Sequence, residues 1–216
     1  NKVYLKFFKI YKFIINNNLE FIEKKQIIGI IGKKNSGKDT IGNYLCEKFD
    51  YNRYAFGDPV KEVCKILFSL SDEQLINRES KEKIDDRWGI SPRQMFQRIG
   101  TDFAQFQIFK LFPELKSKLK YRELWVDIFE KWQAKELNKN KKIVITDVRF
   151  KHEAEKIKKM GGIILKINRD GCSNDNHLSE NELNSIPADF IDYTIDNNYT
   201  LNDLYSQIDT LIYVPF

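Results

Sequence analysis

The chain has 216 residues, a formal net charge of +5, and 42% hydrophobic residues. This length and composition exclude a wholly disordered chain and suit one α/β domain that carries an inserted lobe. The small basic excess favours an anionic ligand such as a polyphosphate, and it is too scattered to indicate nucleic-acid binding.

Residues 1–25 form a basic amphipathic N-terminal extension. Val3, Phe7, Ile10 and Ile14 recur at helical spacing, with lysines between them. A signal peptide would have an uncharged centre, so we expect a helix that packs on the rest of the protein or on a second copy, as in a homodimer. A membrane-surface helix is the alternative. No run of 18 uncharged apolar residues occurs, so no membrane span is expected.

The cysteines and histidines predict neither disulfides nor a zinc site. Cys46, Cys64 and Cys172 are far apart in the chain, and His152 and His177 are the only histidines. An odd number of distant cysteines is typical of free thiols in a reducing compartment, which predicts a cytoplasmic protein.

A short apolar strand and a glycine-containing loop follow the extension. The run Ile27–Ile31 is continuously hydrophobic apart from one glycine, which is typical of a strand buried on both faces of a parallel sheet. The loop Gly32–Thr40 reads GKKNSGKDT, and a helix is predicted from Gly37 to Lys48. This strand–loop–helix order is the context of a phosphate-binding loop.

The loop has the chemistry to bind ATP. Glycines allow successive backbone N–H groups to face phosphate oxygens, and the helix N-terminus adds partial positive charge. Lys38 would place its ammonium on the terminal phosphates. Asp39 stands where a serine or threonine usually coordinates magnesium. The predicted cofactor-binding residues are Gly32, Asn35, Ser36, Gly37, Lys38, Asp39 and Thr40.

Helices are predicted throughout the middle of the chain. A second strand over Asn52–Phe56 precedes them, and the inserted helical lobe spans about 71–140. Ser91 is the predicted cap of one helix, with Pro92 at its first position. The apolar stripe of that helix is Met95, Ile99, Phe103 and Phe106.

The alternation of strands and helices then resumes. The predicted elements are Ile143–Thr146, Glu153–Met160, Ile163–Ile167, Ile191–Ile195 and Leu201–Ile212. Three of these are strands and two are helices. With the first two strands they predict an α/β fold, a five-stranded parallel sheet flanked by helices. The domain that contains this sheet spans residues 26–216.

Charged side chains follow the predicted strands. Asp147 ends the third strand, where a second acidic ligand for magnesium is expected, so Asp39 and Asp147 are the candidate metal ligands. Asp58 is a third carboxylate near the strand ends, where ligands bind in open α/β sheets. Arg149 could reach a phosphate. A helix cap for Asp147 and a surface ion pair for Arg149 are the alternatives.

The polar segment over about 169–184 is predicted to be a lid. It leaves the end of a strand and is too polar to pack as core, and its closure over the phosphates would exclude water. Arg169 at its base is the candidate to stabilise charge on the transferred group. His177 and Glu180 would clamp the lid or contact the nucleotide, and simple ordering of the loop is their alternative role.

The helix that begins at Pro92 carries two side chains with chemistry suited to a nucleoside monophosphate. The planar guanidinium of Arg93 matches a monophosphate in a bidentate manner. Gln97 lies four residues later on the same helix face and could read a base edge. A solvent-facing role is the alternative for both.

Five segments of the chain resemble the phage-type and viral deoxynucleoside monophosphate kinases, in the same order. They are Gly32–Thr40, Phe56–Lys61 (FGDPVK), Ser91–Asp102 (SPRQMFQRIGTD), Ile145–Glu153 (ITDVRFKHE) and His177–Glu180 (HLSE). The GKDT form of the loop is typical of that family, whereas residues 1–25 lie outside the resemblance. The resemblance implies a P-loop kinase fold and an acceptor pocket around Asp58, Lys61 and the helix from Pro92 to Thr101.

The predicted function is phosphoryl transfer from ATP to a deoxynucleoside or ribonucleoside monophosphate. The acceptor phosphate has a second pKa of about 6, so it needs no general base. The protein must hold two polyanions in line and neutralise their repulsion with Mg²⁺ and cationic side chains. A kinase of another phosphorylated metabolite and a P-loop ATPase or switch module are the alternatives. The predicted catalytic residues are Lys38, Asp39, Arg93, Asp147 and Arg169.

Overall fold

A computed structural model describes residues 26–137, 141–172 and 182–213. The N-terminal extension and most of the predicted lid, with His177 and Glu180, lie outside the described residues. The chain divides into two compact units, one formed by Asn1–Arg53 with Glu136–Phe216 and the other by Tyr54–Lys135. No helix in the described ranges has the length and apolar character that crossing a membrane requires.

The strands and helices follow one another as the sequence pattern indicates. The strands are β1 (Ile27–Ile31), β2 (Tyr51–Tyr54), β3 (Lys142–Ile145), β4 (Ile163–Asn168) and β5 (Tyr193–Asp196). The α-helices are α1 (Lys38–Phe49), α2 (Gly57–Phe68), α3 (Asp72–Ile76), α4 (Arg78–Glu82), α5 (Pro92–Gln97), α6 (Ile108–Leu111), α7 (Leu124–Leu137), α8 (Lys151–Lys159) and α9 (Leu201–Tyr213). A π-helix (Arg98–Gln107) and three 3₁₀ segments (Pro113–Ser117, Glu182–Ser185 and Ala188–Phe190) complete the described elements.

A five-stranded parallel sheet with the order β2-β3-β1-β4-β5 confirms the predicted fold class. β1 pairs in parallel with β3 and with β4, so that Ile28 is aligned with Val144 and Ile163. All five residues of β1 are buried, as the continuous apolar run predicts. Because β1 is central, the loop that follows it emerges in the middle of the carboxyl edge of the sheet, where ligands bind in open α/β sheets.

Helices cover the sheet of the first unit. α1 packs against α9, where the rings of Tyr44 and Tyr205 are stacked with centroids 3.8 Å apart. α8 packs against β1 and β4. A Cβ at Gly29 would lie 2.7 Å from side-chain carbons of Ile157 and Ile164, so only glycine lets α8 approach β1 this closely.

The second unit, Tyr54–Lys135, is helical from α2 onward and begins earlier than the inserted lobe expected from residue 71. Its most deeply buried side chains include Phe129 and Met95, while α2 packs against α5 and the π-helix. The predicted stripe fails after Met95, because the π-helix bonds each residue to the fifth one along and thus changes the period. The residues that it buries are Thr101, Ala104 and Gln105, whereas Ile99, Phe103 and Phe106 are half-buried.

Candidate active site

The loop between β1 and α1 turns through two residues with left-handed backbone. Asn35 has φ of 66° and Gly37 has φ of 104°, and the Ser36 N–H donates to the carbonyl of Lys33 over 3.1 Å. Gly37 is the N-cap of α1 and has no side chain to occupy the first N–H groups of the helix. These N–H groups and the helix dipole therefore remain available to an anion.

Lys38 lies inside the curve of this loop. It is 9% exposed, and its Nζ donates to the carbonyl oxygens of Gly32 and Lys33 over 2.6 and 2.7 Å. The ammonium is therefore held within the loop by backbone acceptors, which phosphate oxygens can replace as charge-assisted acceptors. The role of Lys38 at the terminal phosphates stays a prediction.

Two buried hydroxyls near the loop have no hydrogen-bond partner among the described residues. They are Ser36 Oγ in the loop and Thr146 Oγ1 after β3. A side chain at Gly42 would collide with the methyl group of Thr146, so Thr146 lies against α1 shortly after its start. An unpaired buried hydroxyl costs about 1–3 kcal/mol. Both groups thus suit a phosphate oxygen or a metal-bound water as a partner.

The two predicted metal ligands have different surroundings. The side chain of Asp39 is 77% exposed and lies 3.3 Å from Arg53 at the end of β2. Asp147 is half-buried directly after β3 and Thr146. Within the described ranges, no group of three or more His, Cys, Asp or Glu side chains could hold a metal ion. Magnesium bound through one or two carboxylates and substrate phosphates needs no such group, and Asp147 suits that mode.

The turn after β3 is fixed by the buried carboxyl of Glu153. Its Oε2 accepts the backbone N–H of Arg149 over 2.7 Å and that of Phe150 over 3.0 Å. Burial raises the pKa of Glu153 to about 8, and the nearby charge of Asp147 also raises it, against the lowering effect of the two N–H donors. Glu153 therefore holds the backbone of Arg149 and Phe150 in the turn that follows Asp147.

A cavity of about 390 Å³ lies between the carboxyl ends of β1 and β4. It brings the predicted residue Arg169 to the same cavity as the first residues of the phosphate loop. Lys33, Lys166, Arg169 and Asp170 give it charge, while isoleucines and Leu183 supply apolar walls. The lining consists of Ile31, Gly32, Lys33, Lys166, Ile167, Asn168, Arg169, Asp170, Leu183, Ile186 and Ile191.

In the second unit, the predicted acceptor residues take part in ion pairs. Asp58 at the start of α2 accepts from Lys61 over 2.7 Å. The Nε of Arg93 lies 3.2 Å from Glu82 Oε1, and the Arg93 side chain is 27% exposed. Both pairs are partly exposed to solvent. An ion pair in such a position contributes little to stability and is screened by salt. A bound monophosphate can therefore compete for these cations.

The helix that carries Arg93 has the predicted start. Ser91 accepts the N–H of Gln94 and Gln94 accepts that of Ser91, which forms a capping box with Pro92 at the first helical position. Gln97 is half-buried on the same helix, whereas Thr101 is 5% exposed within the π-helix. The cap fixes where the helix begins and so places Arg93 in its first turn.

Sequence reasoning missed several residues that shape these sites. Arg53 pairs with Asp39, Thr146 brings a buried hydroxyl to the loop, and Glu153 organises the turn after β3. Asn197 donates to the carbonyl of Ser36 over 2.7 Å. Arg53, Thr146 and Asn197 lie at carboxyl ends of strands, so the rule that singled out Asp147 could also have found them.

Comparisons with known proteins assign the chain to a family. The model of the deoxynucleotide monophosphate kinase family matches residues 26–83 and 66–208. Among solved structures, shikimate kinase from Aquifex aeolicus aligns with a TM-score of 0.45 at 16% identity, covering 86% of this chain and 95% of that one. The fold assignment rests on the strand order and not on this likeness.

Two curated proteins are similar in sequence. A provisionally named deoxynucleotide monophosphate kinase of Acanthamoeba polyphaga mimivirus is 41% identical over 187 residues, which span 84% of this chain and 93% of that protein. The deoxynucleotide monophosphate kinase of Escherichia phage RB69 is 31% identical over 136 residues, 62% of this chain and 49% of that protein. The chain belongs to the deoxynucleotide monophosphate kinase family.

Proposed function

We propose that this protein transfers the γ-phosphoryl group of ATP to a deoxynucleoside 5′-monophosphate, releasing ADP and the deoxynucleoside diphosphate. The observation that carries the proposal is the strand–loop–helix around Lys38, with its ammonium held inside the loop. Family membership supports the same reaction.

The donor phosphates would bind to the loop and the start of α1. Gly32, Asn35 and Gly37 supply the backbone turn, Ser36 and Thr40 supply hydroxyls, and Lys38 supplies charge. We expect the ammonium to leave the carbonyls of Gly32 and Lys33 for the phosphate oxygens. Once ATP is bound, the oriented N–H groups and the ammonium stabilise the charge of the transition state without further reorganisation.

Magnesium is the expected counterion of ATP. The carboxylate of Asp147 and the buried hydroxyl of Thr146 beside it would hold such an ion, and Asp39 would contribute after releasing Arg53. When bound, magnesium would neutralise charge on the donor phosphates. Arg149, held by Glu153, and Arg169, in the cavity between β1 and β4, are proposed to contact phosphates.

The acceptor monophosphate would bind to the residues of the second unit. Arg93 is proposed to leave Glu82 and form a bidentate contact with the acceptor phosphate. The other proposed acceptor residues are Asp58, Lys61, Gln97 and Thr101. Thr101 is buried, so its contact with the acceptor would be through its hydroxyl. His177 and Glu180 of the predicted lid remain predictions.

No general base is required by this reaction. The acceptor oxygen belongs to a phosphate with a second pKa of about 6, which is largely deprotonated at neutral pH. The chain therefore contributes positioning and charge neutralisation, which account for most of the catalysis of phosphoryl transfer.

The viral and phage relatives support a role in the cytoplasm of an infected host. A homodimer through residues 1–25 is a further proposal.

An acceptor panel tests the proposed function. Wild-type protein is incubated with ATP, magnesium and each deoxynucleoside or ribonucleoside monophosphate, and the nucleotide products are resolved by chromatography. We expect a diphosphate from at least one deoxynucleoside monophosphate. Turnover only with other phosphorylated metabolites, or ATP hydrolysis that no monophosphate stimulates, would contradict the proposal and favour one of the two alternatives.

A further inference from the structure

Asn197 joins the end of β5 to the phosphate loop. It is 9% exposed, and its Nδ2 donates to the carbonyl oxygen of Ser36 over 2.7 Å in a buried hydrogen bond. Its backbone N–H donates to the carbonyl of Asn168 at the end of β4 over 2.9 Å. One residue thus bonds to the loop after β1 and to the neighbouring strand.

The fit between Asn197 and the loop is close on both sides. A Cβ at Gly37 would collide with the Asn197 amide nitrogen, so the amide occupies the space that a side chain would need. Gly37 also has φ of 104°, which disfavours any other residue. The glycine is therefore required both by its own backbone and by its neighbour Asn197.

The hydrogen bond to Ser36 also fixes the direction of a loop N–H group. The Ser36 carbonyl and the Gly37 N–H belong to one planar trans peptide and point in opposite directions. Because Asn197 holds the carbonyl on its side, the Gly37 N–H points away from Asn197. Fixing the orientation of a donor in this way is how backbone groups are preorganised for anionic oxygens.

The next residue extends the connection to the segment after β4. Asn198 Oδ1 accepts the N–H of Asp170 over 2.7 Å, and its own N–H donates to Asp196 over 3.1 Å. Asp170 follows Arg169, which lines the cavity beside the phosphate loop. Two consecutive asparagines therefore connect the loop with the backbone that carries Arg169.

We propose that Asn197 and Asn198 are positioning residues for phosphoryl transfer, and this inference rests on the proposed function. Asn197 holds the Ser36–Gly37 peptide in the orientation that receives donor phosphates. Asn198 holds the Arg169–Asp170 backbone in register with it. Neither side chain needs to touch the reacting atoms.

Nucleotide affinity tests the role of Asn197. Asn197→Ala and Asn197→Asp both remove the donor to Ser36, and the aspartate also places a negative acceptor against the carbonyl. We expect the dissociation constant of ADP, measured by calorimetry with magnesium, to rise about tenfold or more for each variant, since a buried carbonyl loses its partner.

Gln207→Ala is the matched control for this measurement. Gln207 bonds to both backbone groups of Asp196, at the same end of β5, and has no hydrogen bond with the loop among the described contacts. We expect this variant to lower the melting temperature and to leave ADP affinity within about twofold of wild type, because only strand-end support is lost. Equal affinity losses for Asn197→Ala and Gln207→Ala would overturn the positioning role.

A double-mutant cycle tests Asn198. If Asn198 acts through the backbone of Arg169, Asn198→Ala lowers kcat, and it has little further effect in an Arg169→Ala background. Independent, multiplicative effects of the two substitutions would overturn the role of Asn198.

Both tests can be carried out without an acceptor. The ADP dissociation constant is measured with no monophosphate present, and the kcat of the double-mutant cycle can be that of ATP hydrolysis. A protein that accepts no deoxynucleoside monophosphate would therefore disprove the proposed function and still leave both tests of the asparagines decisive.

Discussion

The two units of this chain carry their candidate functional groups in different ways. In the first unit, the groups belong largely to the backbone of one continuous segment, the loop Gly32–Thr40, with Lys38 held inside it. In the second unit, they are partly exposed side chains such as Arg93 and Asp58, which form ion pairs with Glu82 and Lys61. The backbone of the first site is already in place and only Lys38 exchanges its carbonyl partners for a ligand, whereas the second site depends wholly on side chains that must leave their ion pairs.

The largest expected effect on kcat/KM comes from the phosphate loop of the first unit. Lys38→Ala removes an ammonium that bonds to two backbone carbonyls of the loop, and we expect kcat/KM to fall at least about 1,000-fold. Steady-state kinetics with ATP and the best acceptor would measure it. The melting temperature should change little, because the sheet core does not involve Lys38.

Lys48→Ala is the control on the same helix. Lys48 pairs with Asp209 of α9 at 2.7 Å, on the face of α1 that packs against α9. We expect it to leave kcat/KM within about threefold of wild type, as is usual for a surface pair. Residual activity of Lys38→Ala within about tenfold of wild type would contradict the assignment of the loop.

Arg93→Ala tests whether the second unit serves the acceptor. Loss of a bidentate guanidinium should raise the KM of the acceptor about 10- to 100-fold, with the KM of ATP within about twofold of wild type. Arg98→Ala, an exposed arginine just after the same helix, is the control. An effect confined to the KM of ATP would show that Arg93 serves the ATP site and not the acceptor site.

Glu82→Gln tests the same acceptor site by removing the negative partner of Arg93. Because Glu82 competes with a bound phosphate for Arg93, its neutralisation should lower the KM of the acceptor about two- to threefold. Kinetics at low and high salt would measure the change, and high salt should reduce it. An increase in the KM would show that Glu82 orients Arg93 instead of competing for it.

Trp125→Phe tests how the second unit holds its π-helix. The indole Nε1 donates to the Gly100 carbonyl over 2.7 Å, and phenylalanine would leave that carbonyl without this donor. We expect the free energy of unfolding to fall by about 1–3 kcal/mol in denaturant titration. Trp132→Phe on the same helix is the control, since ring packing with Phe129 is largely kept. Equal losses in both variants would assign the effect to packing alone.

Glu153→Gln tests the pH dependence of stability. The pKa of Glu153 is about 8 in the folded protein against an ordinary 4.5, so the folded state binds the extra proton between these values. The free energy of unfolding should therefore fall as pH rises from 4.5 to 8, by up to about 1.4 kcal/mol per pH unit. Glutamine keeps an acceptor for Arg149 and Phe150 and removes this decline.

Glu155→Gln is the control for the pH experiment. Glu155 lies on the same helix, α8, and is partly exposed beside Lys151 at 3.6 Å. Its substitution should leave the slope of stability against pH as in wild type. Parallel curves for wild type and Glu153→Gln would show that Glu153 does not titrate in this range.

The contrast between the units also explains what the sequence could predict. A P-loop is contiguous, and its strand–loop–helix context is local, so β1, Lys38 and the start of α1 follow from spacing alone. Capping residues fixed the start of α5 equally well. The period of the π-helix and the pairing of Arg93 with Glu82 depend on tertiary packing, which helical spacing does not encode.

Residues that act across strands were also beyond local spacing. Asn197 follows Ser36 by 161 positions, and only the sheet order brings β5 to the side of β4, next to the loop after β1. Glu153 was part of a recognised segment, but its burial and its two backbone donors appear only in three dimensions. Long-range hydrogen bonds of this kind set the geometry of a site that the sequence could only locate.

Label transfer from ATP tests the central claim most directly. ATP labelled at the γ-phosphate is incubated with magnesium, one deoxynucleoside monophosphate at a time, and either wild type or Lys38→Ala. The account predicts that wild type moves the label into the deoxynucleoside diphosphate, in an amount equal to the ADP formed, and that Lys38→Ala does not. Label found only in inorganic phosphate, at a rate unaffected by any monophosphate, would contradict it.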